Sequence, residues 1–190
     1  MYFYNDHIGF LANSAISKTT NGGETWTEVK FTSQDSVLYI FQTGHHFHFF
    51  NELHGVAVTT SLLTGGGAVM KTNDGGNTWA LKFFDTPVEI AEGEIIPVGF
   101  NDVYFFNNND GFAVGGKGRR IVTHDGGETW TRNDMPVKMD YNDLFFINNS
   151  IGFAGGDNGL FKTTNGGTTW TAIHTSLGGY QSIHFADPLN

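Results

Sequence analysis

The chain has 190 residues, 39% hydrophobic and 15% aromatic, with 26 Gly, no Cys and a net charge of −9 from only ten Lys and Arg. That is ample material for one core, and the missing Cys excludes a disulfide framework while leaving the compartment open. The acidic balance argues against nucleic acid or an anionic membrane surface as partner, since both reward basic patches, and no apolar run approaches the roughly 20 residues that span a bilayer.

The first residues, Met1 to Asp6, read as a strand; they lack the basic start and apolar run of a signal peptide. Phe3, Tyr4 and Asn5 are followed by a short polar turn and then Gly9, Phe10, Leu11 and Ala12. A second phrase runs from Thr19 to Trp26 and contains Asn21, Gly22 and Gly23. Both phrases then recur. Phe49, Phe105 and Phe146 each stand six residues before Gly55, Gly111 and Gly152, as Phe3 does before Gly9. The Thr-x-Asp/Asn-Gly-Gly-x-Thr-Trp phrase returns at Thr72 to Trp79, Thr123 to Trp130 and Thr163 to Trp170, with Asp74, Asp125 and Asn165 at the Asx position. All four Trp residues of the chain lie in it.

Self-similarity at this period describes stacked supersecondary units. In the third unit the punctuation predicts strands over 102–106, 111–115, 119–123 and 128–132, and no segment holds a helical period. The predicted fold is all-β: a β-propeller of four-stranded antiparallel blades, four complete repeats plus one extra strand. The repeats cover about 1–46, 47–101, 102–142 and 143–181, with 182–190 the first strand of a fifth. A surplus strand would compete with the chain's own first strand, so the expectation is a piece of a longer propeller. The alternatives are a four-bladed ring, or two chains forming a homo-oligomer that completes one ring.

The Thr-to-Trp phrase is placed at the hairpin between third and fourth strands. There an Asx side chain accepts turn N–H groups and the Gly residues take positive φ cheaply. Because two copies carry Asn21 and Asn165 where the others carry Asp74 and Asp125, acceptor capacity is the expected requirement. Trp26, Trp79, Trp130 and Trp170 are expected to pack on the neighbouring sheet.

This phrase resembles the Asp-box, or BNR repeat. Its coupling to Phe…Gly-Phe-Ala-Val-Gly is similar to the Ycf48-like family of photosystem II assembly and stability factors, and the box also occurs in sialidase and xyloglucanase propellers. The resemblance implies that the box is a structural turn away from the ligand face, and that the protein works in an extracytoplasmic, periplasmic or secreted, setting. It also implies a basic surface patch, for which this chain offers one short cluster.

Loops opposite the boxes form the candidate binding face. Insertions at 31–46 and 83–100 and the long hairpin at 59–67 emerge there. Candidate contacts are Tyr39, Phe41 and His45 from the first insertion, and Lys117, Arg119 and Arg120 from the second hairpin of the third repeat. The three basic residues suit a partner's carboxylate or a sugar acid; alternatively they are a solvated hairpin tip.

His46 and His48 alternate onto one side of a strand, but no third ligand is identified beyond Glu52 and His54 after it. His48 also aligns with Tyr2, Tyr104, Phe145 and His184, a position that takes rings. No metal or cofactor is therefore assigned. Asp102 and Asp143 occupy equivalent positions beside the expected channel and are the pair a glycosidase would use; the competing reading is loop capping by Asn101-Asp102 and Asn142-Asp143. No catalytic set is assigned. The expected function is a noncatalytic scaffold that binds a protein or glycan partner, the alternative being part of a secreted glycoside hydrolase.

Overall fold

The structure, a computed structural model, describes residues 1–12, 15–31, 46–61, 64–91, 94–175 and 178–184. Blade 1 is β1 (Tyr2–Phe3), β2 (Gly9–Ala12), β3 (Ile16–Thr19) and β4 (Thr27–Glu28), paired in that order and antiparallel. The connection β5 (Lys30–Phe31) then runs parallel to an edge of blade 2. Blade 2 comprises β6 (His46–Phe49), β7 (Gly55–Thr60), β8 (Gly67–Thr72) and β9 (Thr78–Asp85), followed by a separate hairpin of β10 (Val88–Ala91) and β11 (Glu94–Ile96). Blade 3 is β12 (Phe100–Phe105), β13 (Gly111–Gly115), β14 (Arg120–Thr123) and β15 (Thr131–Arg132). Blade 4 is β16 (Tyr141–Phe146), β17 (Gly152–Gly156), β18 (Gly159–Thr163) and β19 (Thr171–His174). Four antiparallel four-stranded sheets in series are blades of a β-propeller.

The fourth strand of blade 3 begins at Thr131 rather than at the expected 128. Glu128 and Thr129 belong to the turn, because the Asp125 carboxylate accepts both the N–H and the hydroxyl of Thr129. The surplus segment is described as far as His184 and forms no ladder. It nevertheless lies beside blade 4, where Ile183 N–H donates to Asp143 and the His184 ring meets Phe145 edge-on at 6.3 Å.

The recurrent Phe and Gly are cross-strand partners: Phe3 faces Gly9, Phe49 Gly55, Phe105 Gly111 and Phe146 Gly152. Each ring lies flat across its glycine. A Cβ at Gly152 would stand 2.5 Å from ring atoms of Phe146, which no ordinary packing tolerates. Hydrophobic residues from adjacent blades then close three cores. Phe10, Phe47, Phe49, Met70 and Trp79 fill the first; Val56, Val58, Phe100, Phe105, Ile121 and Trp130 the second; Phe112, Tyr141, Phe146, Phe161 and Trp170 the third.

The box Trp is the keystone of each core. Trp79 stands edge-on to Phe10 of blade 1 at 6.2 Å and to Phe49 of its own blade at 6.0 Å, and Trp170 repeats this with Phe112 and Phe146. Trp130 meets Phe105 in the same way, with Val56 in place of the preceding blade's ring. Among the described residues no blade stands against Trp26 in this way; the ring is half-buried and its partner Phe3 is 40% exposed.

Candidate binding face and the inner-strand cluster

The boxes define which end of the propeller is which. In each box Thr19, Thr72, Thr123 or Thr163 is buried, its hydroxyl donating to the Asx Oδ1 and accepting the second Gly N–H. The first Gly, at positive φ, donates its N–H to a carbonyl of the first hairpin: Gly22 to His7, Gly75 to Leu53, Gly126 to Asn109 and Gly166 to Ser150. That hairpin is itself shaped by an Asn whose Oδ1 accepts two N–H groups, as Asn5, Asn51, Asn107 and Asn148 all do. Boxes and first turns therefore share one end. The starts of the inner strands and the second hairpins share the other, the end expected to bind.

The expectation of an acceptor at the Asx position needs one refinement. One oxygen of every Asx residue accepts, but the second atom differs. Asp74 and Asp125 accept the hydroxyls of Thr78 and Thr129 at 2.7 and 2.6 Å, whereas Asn21 and Asn165 donate from Nδ2 to Thr25 and Thr169 at 2.9 and 2.8 Å. A hydroxyl can serve as either partner, so acid and amide are interchangeable.

At the opposite end three side chains from three successive blades converge. His46 at the start of β6 places Nδ1 2.7 Å from Asp102 Oδ1 at the start of β12. Val103 N–H donates to the same oxygen at 2.7 Å, and Leu144 N–H, on the next blade, donates to Asp102 Oδ2 at 2.7 Å. Asp143 Oδ1 accepts Leu144 N–H at 3.0 Å, and its Oδ2 accepts Ile183 N–H. Asn101 Nδ2 donates across to Tyr141 O at 2.8 Å, and Asn142 Nδ2 to Tyr180 O at 3.0 Å. Each Asn-Asp pair thus ties its own inner strand to the segment that follows in the chain.

Asp102 is 5% exposed and Asp143 9%. Burial raises the Asp102 carboxyl, against the opposing pull of His46. For His46, burial disfavours the charged ring, but the bond to Asp102 and the charges of Asp102 and Asp143 outweigh it and raise the imidazole. His48 also faces blade 3, with its ring 5.0 Å from Phe105 and 5.1 Å from Phe50, and burial lowers it. Glu52 and His54 lie at the box end of the sheet, where His54 Nδ1 meets Asn51 at 3.0 Å. The partners of His46 are therefore not those considered from sequence. The missed signal was register: His46, Asp102 and Asp143 each stand three residues before the repeat Phe.

The basic cluster is divided among different tasks. Arg119 is 4% exposed; it pairs with Asp85 and donates to Thr86 O at 3.0 Å, reaching back to blade 2. Arg120 is 7% exposed, donates to Asn133 O at 2.7 Å and to Gly167 O, and covers Phe112, reaching forward to blade 4. Neither fork is offered to an outside carboxylate. Lys117, at φ 55°, is exposed on the turn, with its N–H on Asp140 Oδ1 at 2.8 Å and its Nζ 3.4 Å from the same carboxylate. Tyr39, Phe41 and His45 lie outside the described residues.

Fold and turns together define a β-propeller whose blades are held by recurrent turn and staple chemistry. Residues 91–183 match the sequence model of the family described as photosynthesis system II assembly factor YCF48. Comparison with curated proteins gives no match. Among solved structures, YCF48 from Cyanidioschyzon merolae is similar at 18% identity and TM-score 0.58, over 93% of this chain and 56% of that one. An ancestral GH74 enzyme is similar at 17% identity and TM-score 0.64, over 90% of this chain and 23% of that one. The Niastella koreensis GH74 enzyme is similar at 20% identity and TM-score 0.61, over 86% of this chain and 27% of that one. The chain spans about a quarter of the GH74 chains and just over half of the YCF48 chain, and at these identities the likeness concerns fold. Among the described residues no helix is long and apolar enough to cross a membrane.

Proposed function

We propose that this propeller is a noncatalytic scaffold that binds a protein partner in an extracytoplasmic compartment, using the face opposite the boxes. The single observation that carries this reading is the use made of Asp102 and Asp143. A glycosidase needs one carboxyl to give up a proton and another facing it across an open groove. Here both are buried and their oxygens hold backbone N–H groups of Val103, Leu144 and Ile183. The match of residues 91–183 to an assembly-factor family supports the same reading. The face keeps Lys117, Asp140 and the second hairpins for contact, a mixed polar rim suited to a peptide segment more than to a single sugar acid.

The test is paired. Hydrolysis is measured over a panel of xyloglucan and sialoside substrates, and capture of extracytoplasmic proteins is compared between the native chain and a Lys117→Glu, Asp140→Lys variant. Capture of a defined protein that the charge reversal abolishes, with no turnover, is the expected result. Turnover that disappears in a folded Asp143→Asn variant would overturn it in favour of a glycoside hydrolase. Glycan binding without turnover, lost in the same charge-reversed variant, would replace the protein partner by a glycan.

A further inference from the structure

We infer that His46, Asp102 and Asp143 form a binding site for a divalent transition ion of the zinc class, set where the inner strands of blades 2, 3 and 4 begin. One donor atom of each lies within 4.8 Å of the others. Donors that share a Zn2+ sit about 2.0–2.2 Å from it, so they lie no more than about 4 Å from one another. A bound ion would draw the three donors inward by the difference. They start from three adjacent inner strands, so the backbone already aims them at one point.

The carboxylates are oriented as ligands are. Val103, Leu144 and Ile183 N–H groups fix the Asp102 and Asp143 planes, the role that outer-sphere hydrogen bonds play around protein-bound metals. An oxygen that accepts one N–H keeps a second lone pair for a cation. Charge balance points the same way. Two nearly buried carboxylates stand together, and among the described residues His46 is the one cation partner that either has. A divalent ion would neutralise both, with the imidazole turning from counter-ion to ligand. One nitrogen with two carboxylates suits Zn2+, Mn2+ or Co2+ better than Mg2+ or Ca2+, which take oxygen sets. Three protein ligands leave a position for water, or for a carboxylate of whatever docks on this face.

The site is independent of the scaffold reading, because a bound ion would staple blades 2, 3 and 4 whether or not a partner binds. The experiment titrates Zn2+ into the metal-free full chain by calorimetry, and follows Co2+ binding by its visible absorption. One ion per chain is expected, with a rise in melting temperature that Mg2+ and Ca2+ do not reproduce. His46→Ala, a change at an exposed ring, is expected to weaken Zn2+ binding at least about 100-fold and abolish the Co2+ spectrum, given that even outer-sphere changes cost 10- to 100-fold. His124→Ala removes the exposed His124–Asp110 pair and is expected to leave binding intact. No stoichiometric Zn2+ binding by the native chain, or equal binding by native and His46→Ala chains, would overturn the proposal.

Discussion

Asp125 offers the sharpest test of the box chemistry, because the chain carries its own control in Asn21 and Asn165. The Asp125 carboxylate takes the Thr123 hydroxyl at 2.9 Å, the Thr129 N–H at 2.9 Å and the Thr129 hydroxyl at 2.6 Å. In Asp125→Asn the oxygen keeps two of these bonds, and the Thr129 hydroxyl rotates to accept from Nδ2, as Thr25 and Thr169 already do. The expected cost is below about 0.5 kcal/mol. Asp125→Ala instead leaves the buried Thr123 hydroxyl without its acceptor and strands the Thr129 N–H on the exposed part of the turn, at a cost of about 1–2 kcal/mol. For a chain of this size the two variants should melt less than about 2 °C and roughly 2–8 °C below the native protein. Urea melts at pH 7 check the ranking. An Asn variant as damaging as the Ala variant would refute the interchange and mean that this blade needs the negative charge itself.

Trp130→Ala should cost about 3–5 kcal/mol, since the ring is buried between blades 2 and 3, whereas Trp26→Ala should cost clearly less because Trp26 is half-buried and Phe3 beside it is exposed; denaturant midpoints of the two variants decide. Gly152→Ala should destabilise by about 1–3 kcal/mol, since the added methyl meets the Phe146 ring and overpacks the strand pair. Acid should unfold the protein partly through the boxes. Burial raises the Asp125 carboxyl, but the hydrogen bonds from Thr129, Thr123 and Glu128 together outweigh it and hold it at about 2 against an ordinary 3.8, and Lys71 and Lys82 hold Glu128 low. A depressed folded value gives stability that is present above the ordinary carboxylate range and lost as pH falls toward about 2. A pH series of melts on native and Asp125→Asn chains should show a shallower acid loss in the variant.

The fold was legible because its information is local and repeated. The six-residue step from Phe to Gly is the length of one hairpin turn that returns the glycine beneath the ring. The Asx-Gly-Gly run is a turn whose backbone signs are set by the residues themselves. The box placement between third and fourth strands followed directly. What sequence could not supply is which blade a long side chain reaches. Arg119 and Arg120 are neighbours in the chain, yet one turns back to Asp85 and the other forward to Gly167. Two members of the basic cluster are therefore internal braces, and Lys117 stays on the surface. His46 likewise finds its partners 56 and 97 residues away in the chain, counted as 102 − 46 and 143 − 46, and only the register of repeats brings them together. Asp102 and Asp143 stood between catalysis and capping in sequence, because both uses ask for a carboxyl at a strand start.

Amide exchange at Leu144 tests most directly whether these carboxylates hold the blades together. Its N–H lies between Asp102 Oδ2 and Asp143 Oδ1. Slow exchange is expected in the native chain and a selective loss of protection at Leu144 in Asp102→Ala, with the amides of Thr123 and Thr163 in the same blades unchanged. If Leu144 exchanges as fast in the native chain as in the variant, the carboxylates are free for other work and the staple account fails.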